Sequence, residues 1–222
     1  MSIKSILHAL GPRLGSRLRR RIVSAAGALE FGAWVEAQGY GGAPAKASRE
    51  DLFAMAAREL ADQPVLYLEF GVWKGDATRA WARLLQHPDT VLHGFDTFEG
   101  LPQGWGNEPA GNYSVGGLVP RLDDPRVTYF KGLFQETLPG YEPPKRSAVV
   151  LMMDADLFSS TIFVLRHLRA LVRPGTWIYF DEFNSVGHEE RAFRDFVDET
   201  GRRFQCVGQV ASFAQVLFRC VG

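Results

Sequence analysis

"RRFQCVGQV" (202–210) and "AQVLFRCVG" (214–222) are two apolar, β-rich runs with residues 211–213 between them. A crossover to a parallel neighbour needs a dozen or more residues, so these two strands must pair antiparallel. The rest of the chain reads differently. From Pro64 onward, short β-rich runs alternate with amphipathic stretches: "VLYLEFGV" (65–72), "TVLHGFD" (90–96), "VTYFKG" (127–132), "AVVLMMDA" (148–155) and "WIYFDEF" (177–183).

Helical patterns fill the gaps at 76–86, 161–173 and 188–201. In the second, Val164, Leu165, Leu168, Leu171 and Val172 make one apolar stripe that Pro174 and Gly175 bring to a stop. Strands alternating with helices predict a parallel sheet covered on both faces. Five such units closed by an antiparallel hairpin differ from the plain dinucleotide-binding order. They point to an α/β, Rossmann-like, seven-stranded sheet of the class I methyltransferase kind, parallel with an antiparallel last strand.

Ahead of the sheet, residues 1–60 read as a helical cap and 61–222 as the main domain. Ile3, Ile6, Leu7 and Leu10 have one-face spacing, and Leu14, Leu18 and Ile22 follow a Gly-Pro break. The run Arg17, Arg19, Arg20, Arg21 reads as a solvated helix face. "GYGGAPAKAS" (39–48) is a turn-rich linker, and Ser48 with Asp51 forms a capping box for a helix over 52–60.

The 222 residues carry 25 basic and 25 acidic side chains, so no global field favours nucleic acid or an anionic membrane. Apolar runs fall short of a bilayer span and the N-terminus has no apolar secretory core, so a cytoplasmic protein is expected. Cys206 and Cys220 are too few for a disulfide framework and are expected as buried free thiols.

Glu69, Gly71 and Gly75 in "LEFGVWKGDAT" stand at the first strand–helix junction, where glycine admits close approach and a helix N-terminus offers free N–H groups to an anion. The spacing G-x-x-x-G is not the G-x-G-x-x-G of nicotinamide or flavin sites. Asp96, twenty-five residues beyond Gly71, ends the next strand, where a carboxylate can accept from both hydroxyls of a ribose; alternatively Asp96 and Thr97 open a turn.

"MMDADLFSST" (152–161) and "YFDEFN" (179–184) end two successive strands on acids. If strand geometry persists, Asp154 and Asp156 share a side, and the neighbouring parallel strand brings Asp181 and Glu182 within about 5 Å. Two like charges 4 Å apart repel by about 4 kcal/mol at an effective dielectric near 20, so such a cluster calls for a cation, a proton or strong hydrogen bonds. All-oxygen ligands favour Mg²⁺ or Ca²⁺. The plainer alternative makes Asp156, Ser159 and Ser160 helix caps. His188, Glu189 and Glu190 read as the acid-rich start of a helix. The Gly- and Pro-rich stretch 98–120 reads as a substrate lid, and Trp73, Trp105 and Tyr113 as pocket or core aromatics.

Taken in order, "LEFGVWKG", "GFDTFEGLP", "ETLP", "MDADLFSST" and "FDEF…HEERAF" resemble the macrocin O-methyltransferase-like family of class I S-adenosylmethionine-dependent methyltransferases, from about residue 64 to the C-terminus. The resemblance implies S-adenosylmethionine across the first two strand ends, with Glu69, Gly71 and Gly75 flanking its methionine part and Asp96, with Thr97 beside it, at the ribose. It also implies Mg²⁺ on Asp154, Asp181 and Glu182, and Asp156 as general base. Relatives often carry two aspartates where this chain has Asp181 and Glu182. The implied reaction is methyl transfer to a small-molecule hydroxyl, with a sugar or natural-product acceptor. Independently of the resemblance, the charge balance predicts no nucleic acid or membrane partner, and the N-terminal helical cap is expected as the surface of a homodimer. The competing class is a catalytically silent nucleoside-binding module on the same sheet.

Overall fold

The computed structural model describes residues 2–105 and 108–222. Two compact units divide the chain, Met1–Gly42 and Ala43–Gly222. The first holds α1 (Ile3–Leu10), a 3₁₀ turn at Gly11–Arg13 and α2 (Ser16–Ala37). Ser2 caps α1, its hydroxyl accepting from the Ser5 N–H. Arg17, Arg19, Arg20 and Arg21 are exposed, as expected.

The second unit begins with α3 (Arg49–Leu60), followed by β1 (Val65–Phe70), α4 (Asp76–Leu84), β2 (Val91–Asp96), β3 (Val127–Lys131), α5 (Phe134–Thr137), β4 (Ala148–Met153), α6 (Phe158–His167), β5 (Trp177–Phe180), α7 (Glu189–Thr200), β6 (Phe204–Val210) and β7 (Gln215–Cys220). The capping box is formed: Ser48 accepts from the Asp51 N–H while the Asp51 carboxylate accepts from the Ser48 N–H. The expected domain boundary at residue 60 put this helix with the cap. In the structure Phe53 of α3 packs on Trp81 and Tyr179, with ring centroids 4.9 and 5.0 Å apart, so α3 belongs to the sheet unit.

The sheet runs β3-β2-β1-β4-β5-β7-β6. The pairs from β3 to β5 are parallel, and β7 lies antiparallel between β5 and β6. The hairpin read from the sequence is therefore present, with β7 inserted next to β5. Residues 211–213 all adopt positive φ in its turn. Strands β1, β4 and β5 are buried along their whole length, as strands covered on both faces must be. One face carries Trp81, Tyr67, Trp177 and Tyr179. Phe180, Phe183, Phe193 and Phe218 make a second aromatic cluster under α7, with Phe193 and Phe218 stacked at 4.6 Å. Both cysteines are free and buried, and burial pushes the Cys206 thiol up to about 12. Among the described residues, no helix is long and apolar enough to cross a membrane.

Candidate functional site

Parallel register sets a row of four residues. Phe70 pairs with Phe95 on one side and with Met153 on the other, and Met153 pairs with Phe180. One step further along each strand stand Gly71, Asp96, Asp154 and Asp181. The backbone ladder continues into that row: Gly71 N–H donates to Phe95 O at 3.1 Å, Asp154 N–H to Phe70 O at 2.9 Å and Asp181 N–H to Met153 O at 3.1 Å. The row lies where β1 and β4 diverge toward opposite halves of the sheet, the place at which open α/β sheets take ligands. A cavity of about 490 Å³ opens there. Glu69, Gly71, Asp96 and Thr97 line it from one half of the sheet, and Asp154, Asp156, Asp181 and Glu182 from the other. Gly75 does not line it. That glycine caps α4 at φ 78°, and a Cβ there would sit 3.1 Å from the Tyr129 hydroxyl.

On the β1–β2 side the backbone closes around Asp96. Its Oδ2 accepts from the N–H groups of Val72 and Trp73, each at 2.8 Å, and its Oδ1 from Phe98 N–H at 2.7 Å. A carboxylate offers about four acceptor positions, so one remains for a further donor where the sequence expectation had two. Thr97 serves the turn, its Oγ1 donating to Gly100 O and accepting from Glu99 N–H. Glu69 is buried, and Tyr67 Oη (3.0 Å) and Thr78 Oγ1 (2.5 Å) both donate to its Oε2.

Burial pushes the Glu69 carboxyl from its ordinary 4.5 up to about 7, against the downward pull of the Thr78 and Tyr67 hydrogen bonds. A carboxyl whose folded-state value is raised contributes most to stability below its unfolded value and loses that contribution as pH climbs through the folded one. Glu69→Gln, neutral throughout, is therefore expected to gain on the wild type as pH rises from about 4.5 to 7, by on the order of 3 kcal/mol at about 1.4 kcal/mol per unit. Thermal melts across that range check it; a gap independent of pH would count against it.

The β4–β5 side is crowded with acids. Strand β4 ends at Met153, and Asp156 then sits at φ 58°. Strand alternation therefore does not carry Asp154 and Asp156 to one side, as the sequence reading had supposed; a left-handed turn brings Asp156 round to the cavity. Burial holds the Asp154 carboxyl well above the usual range, with Asp181, Glu189 and Asp156 adding repulsion. Burial, then Glu182 and Asp181, raises Asp156 to about 7. Glu182 is raised by burial and by Asp181. Asp181 is tethered: its Oδ1 accepts from Tyr179 Oη at 2.5 Å and Gln215 Nε2 at 3.0 Å, with Arg49 Nη1 at 3.8 Å.

The donor set here, all carboxylate oxygen, suits a hard divalent cation. Its geometry does not: among the described residues no three His, Cys, Asp or Glu side chains are gathered as a metal-holding group. The triad of Asp154, Asp181 and Glu182 implied by the family resemblance is thus not assembled. Asp181 is engaged by its own neighbours, Tyr179 and Gln215.

The expected lid folds on itself. Leu101 N–H donates to Asn112 O at 2.9 Å, Gly111 N–H to Leu101 O at 2.8 Å, and Trp105 and Glu108 exchange both backbone bonds. Gly106 and Asn107 lie outside the described residues. Gln103 ties this loop to the start of α6 through Ser159 Oγ at 3.2 Å. Trp73, Trp105 and Tyr113 all line the cavity, and Trp73 and Tyr113 meet edge to face at 6.4 Å. Trp73 (φ 51°) and Tyr113 (φ 62°) share with Asp156 a left-handed backbone rare for non-glycine residues, and such strain gathers at functional sites.

Arg49 was missed in the sequence. It sits at the first position of α3, where nothing local sets it apart from any exposed helical arginine, yet it lines the cavity beside Asp181. Burial lowers its guanidinium's pKa, but Asp181 and the surrounding negative charge raise it by more, to a net upward shift.

Comparison with known proteins agrees with this architecture. The chain is 28% identical over 137 residues to 8-demethyl-8-(2,3-dimethoxy-alpha-L-rhamnosyl)-tetracenomycin-C 4'-O-methyltransferase of Streptomyces olivaceus. That match spans 52% of each protein, so the chain accounts for about half the length of this curated relative. Among solved structures it resembles the calicheamicin methyltransferase CalS11, with a TM-score of 0.61 at 21% identity over 77% of this chain and 78% of that one. It also resembles the O-methyltransferase NovP, with a TM-score of 0.58 at 19% identity over 78% and 80%. The fold is that of the class I methyltransferases. Residues 119–210 match the family described as Macrocin-O-methyltransferase (TylF). That segment holds β3 to β6 and both acidic strand ends, and it is the part of the chain that is similar to the macrocin-O-methyltransferase family.

Proposed function

We propose that this chain is an S-adenosylmethionine-dependent O-methyltransferase acting on a hydroxyl of a small molecule, with a glycosyl group as the favoured acceptor class. The observation that carries the reading is one cavity at the strand ends, with the Gly71 turn and Asp96 on one wall and Asp156 on the other. The family match over residues 119–210 and the rhamnosyl group in the name of the curated relative support the acceptor class.

In this reading the Gly71 turn and the start of α4 receive the methionine part of the donor, and Asp96 takes one ribose hydroxyl. The oxygen of Glu69 that accepts from neither Tyr67 nor Thr78 faces the donor's ammonium. The acceptor hydroxyl attacks the sulfonium methyl in line. An O–CH₃ bond forms as the S–CH₃ bond breaks, the sulfur keeps the electron pair and becomes a neutral thioether, and the hydroxyl proton passes to Asp156. A base held near 7 is matched to that task at neutral pH. Trp73, Trp105 and Tyr113 shield the reacting atoms from water, and Arg49 places a positive charge beside Asp181.

Mg²⁺ belongs to the proposal only through its donor set, which is all oxygen and rich in charge; if bound, it would supply charge for acceptor oxygens beside Asp154, Asp181 and Glu182. No step above runs through it. The free thiols suit a reducing, cytoplasmic setting, and the balanced net charge supports a small acceptor over nucleic acid. The exposed Ile3, Leu7 and Leu10 of α1 and Leu18, Ile22 and Leu29 of α2 support pairing of two copies through these helices, with twice the chain mass expected by light scattering. A monomer would remove that part.

The deciding experiment incubates the chain with methyl-labelled S-adenosylmethionine and a panel of rhamnosylated and other glycosylated small molecules, with Mg²⁺ and with chelator. Label on a sugar oxygen is expected. Cofactor binding without transfer to any acceptor would instead identify a silent nucleoside-binding module, and an undiminished rate in chelator would exclude a catalytic metal.

A further inference from the structure

Glu189 is the first residue of α7, a position where an acid ordinarily sits in solvent near the helix dipole. Here it is 0% exposed. Burying a carboxylate is costly unless hydrogen bonds replace its water, and the bonds it makes are specific. Its Oε1 accepts from the N–H of Ala155 at 3.2 Å, and its Oε2 from the N–H of Glu182 at 3.3 Å. Ala155 stands between Asp154 and Asp156 on the segment after β4, and Glu182 follows Asp181 on the segment after β5. One carboxylate thus bridges the two chain segments that bear the acids. The turn it pins is tight, with Leu157 N–H donating to Ala155 O at 2.5 Å and Asp156 at φ 58° between them.

Glu190, its neighbour, is also buried and does something unrelated: it pairs with Arg194 at 2.7 Å along the same helix. Resting on the methyltransferase reading, we propose that Glu189 is a positioning residue, a brace that fixes the spacing between Asp156 on one strand end and Asp181 and Glu182 on the other. It touches none of the reacting atoms. A carboxylate is required because two N–H donors approach its two oxygens. Glutamine offers one acceptor and turns an NH₂ toward the second donor, and aspartate, one methylene shorter, cannot span both.

The test uses the full chain with Glu189→Gln, Glu189→Asp and Glu190→Gln. Amide hydrogen exchange at 154–157 and 181–183 is expected to quicken by about tenfold or more in both Glu189 variants and to stay at the wild-type rate in Glu190→Gln. Displacements near 1 Å at a reacting centre cost on the order of 10²-fold, so kcat should fall by about 10- to 100-fold in the Glu189 variants. S-adenosylhomocysteine affinity should stay within about twofold, because the turn at β1 and β2 is untouched. Either variant suffices if the other does not fold. Wild-type exchange in the Glu189 variants overturns the brace. Quickened exchange with an unchanged kcat overturns its role in positioning, as does equal loss of kcat in Glu190→Gln. A wild type that transfers no methyl group overturns the underlying reading, and the exchange data then judge the brace by itself.

Discussion

Asp156→Asn is expected to lower kcat by about 10²- to 10⁴-fold, the range general-base catalysis supplies, while leaving S-adenosylhomocysteine affinity within about twofold. The substitution is chosen for its backbone. Asp156 sits at φ 58°, a conformation that Asn tolerates as readily as Asp and that alanine does not. Asparagine therefore keeps the turn, the side-chain volume and the cavity wall, and removes only the capacity to take a proton. Burial together with Glu182 and Asp181 raises the native carboxyl to about 7, so the neutral amide also relieves repulsion, and thermal stability should hold or rise. Steady-state kinetics with calorimetry of cofactor binding checks both halves. Retention of more than about a tenth of wild-type kcat would remove Asp156 from the role of base.

The sheet was readable from the sequence because its evidence is local. Each β-rich run ends in a short polar cluster, and the three residues between 210 and 214 leave no room for a crossover. Those endings also disclosed Asp96, Asp154 and Asp181, since in parallel strands that finish together the last residues form a row. What happens one or two residues past the strands was not readable. Asp156 reaches the cavity by a left-handed turn that no periodicity announces. Asp96 is wrapped by amides of Val72, Trp73 and Phe98, a consequence of how the first turn folds back on the second strand. Arg49 and Glu189 carry ordinary helix-start chemistry in sequence, and tertiary packing alone turns one into the cavity's guanidinium and the other into a buried bridge. The tethering of Asp181 was hidden for a related reason: Tyr179 and Gln215 both donate to its Oδ1, and Gln215 lies 34 positions along the chain.

Gly71→Ala is the second large effect, and it should differ in kind from the first. The sequence reading valued this glycine for the approach of a ligand. The structure gives a stricter reason. Gly71 has φ 94°, and a Cβ built on it would lie 1.8 Å from the carbonyl oxygen of Asp154 and 2.7 Å from its carbonyl carbon. Those are backbone atoms of the adjoining β4 end, held by the Asp154 N–H bond to Phe70 O, and no rotamer change moves them aside. The positive φ costs about 1–2 kcal/mol in an L-residue and overpacking about 1–3 kcal/mol more. Alanine should therefore destabilise the fold by about 2–5 kcal/mol, lowering Tm by roughly 5–15 °C at this size. Relief of the clash must push the Asp154 segment away from β1, so the donor turn and the acidic strand end are displaced together. Both S-adenosylhomocysteine affinity and kcat should then fall, whereas Asp156→Asn spares the affinity. Gly140→Ala is the control, since a Cβ there meets nothing within 4 Å, and its Tm should match the wild type. A Gly71→Ala protein that melts within about 2 °C of wild type and binds the cofactor normally would show that the two strand ends are not in contact through this glycine.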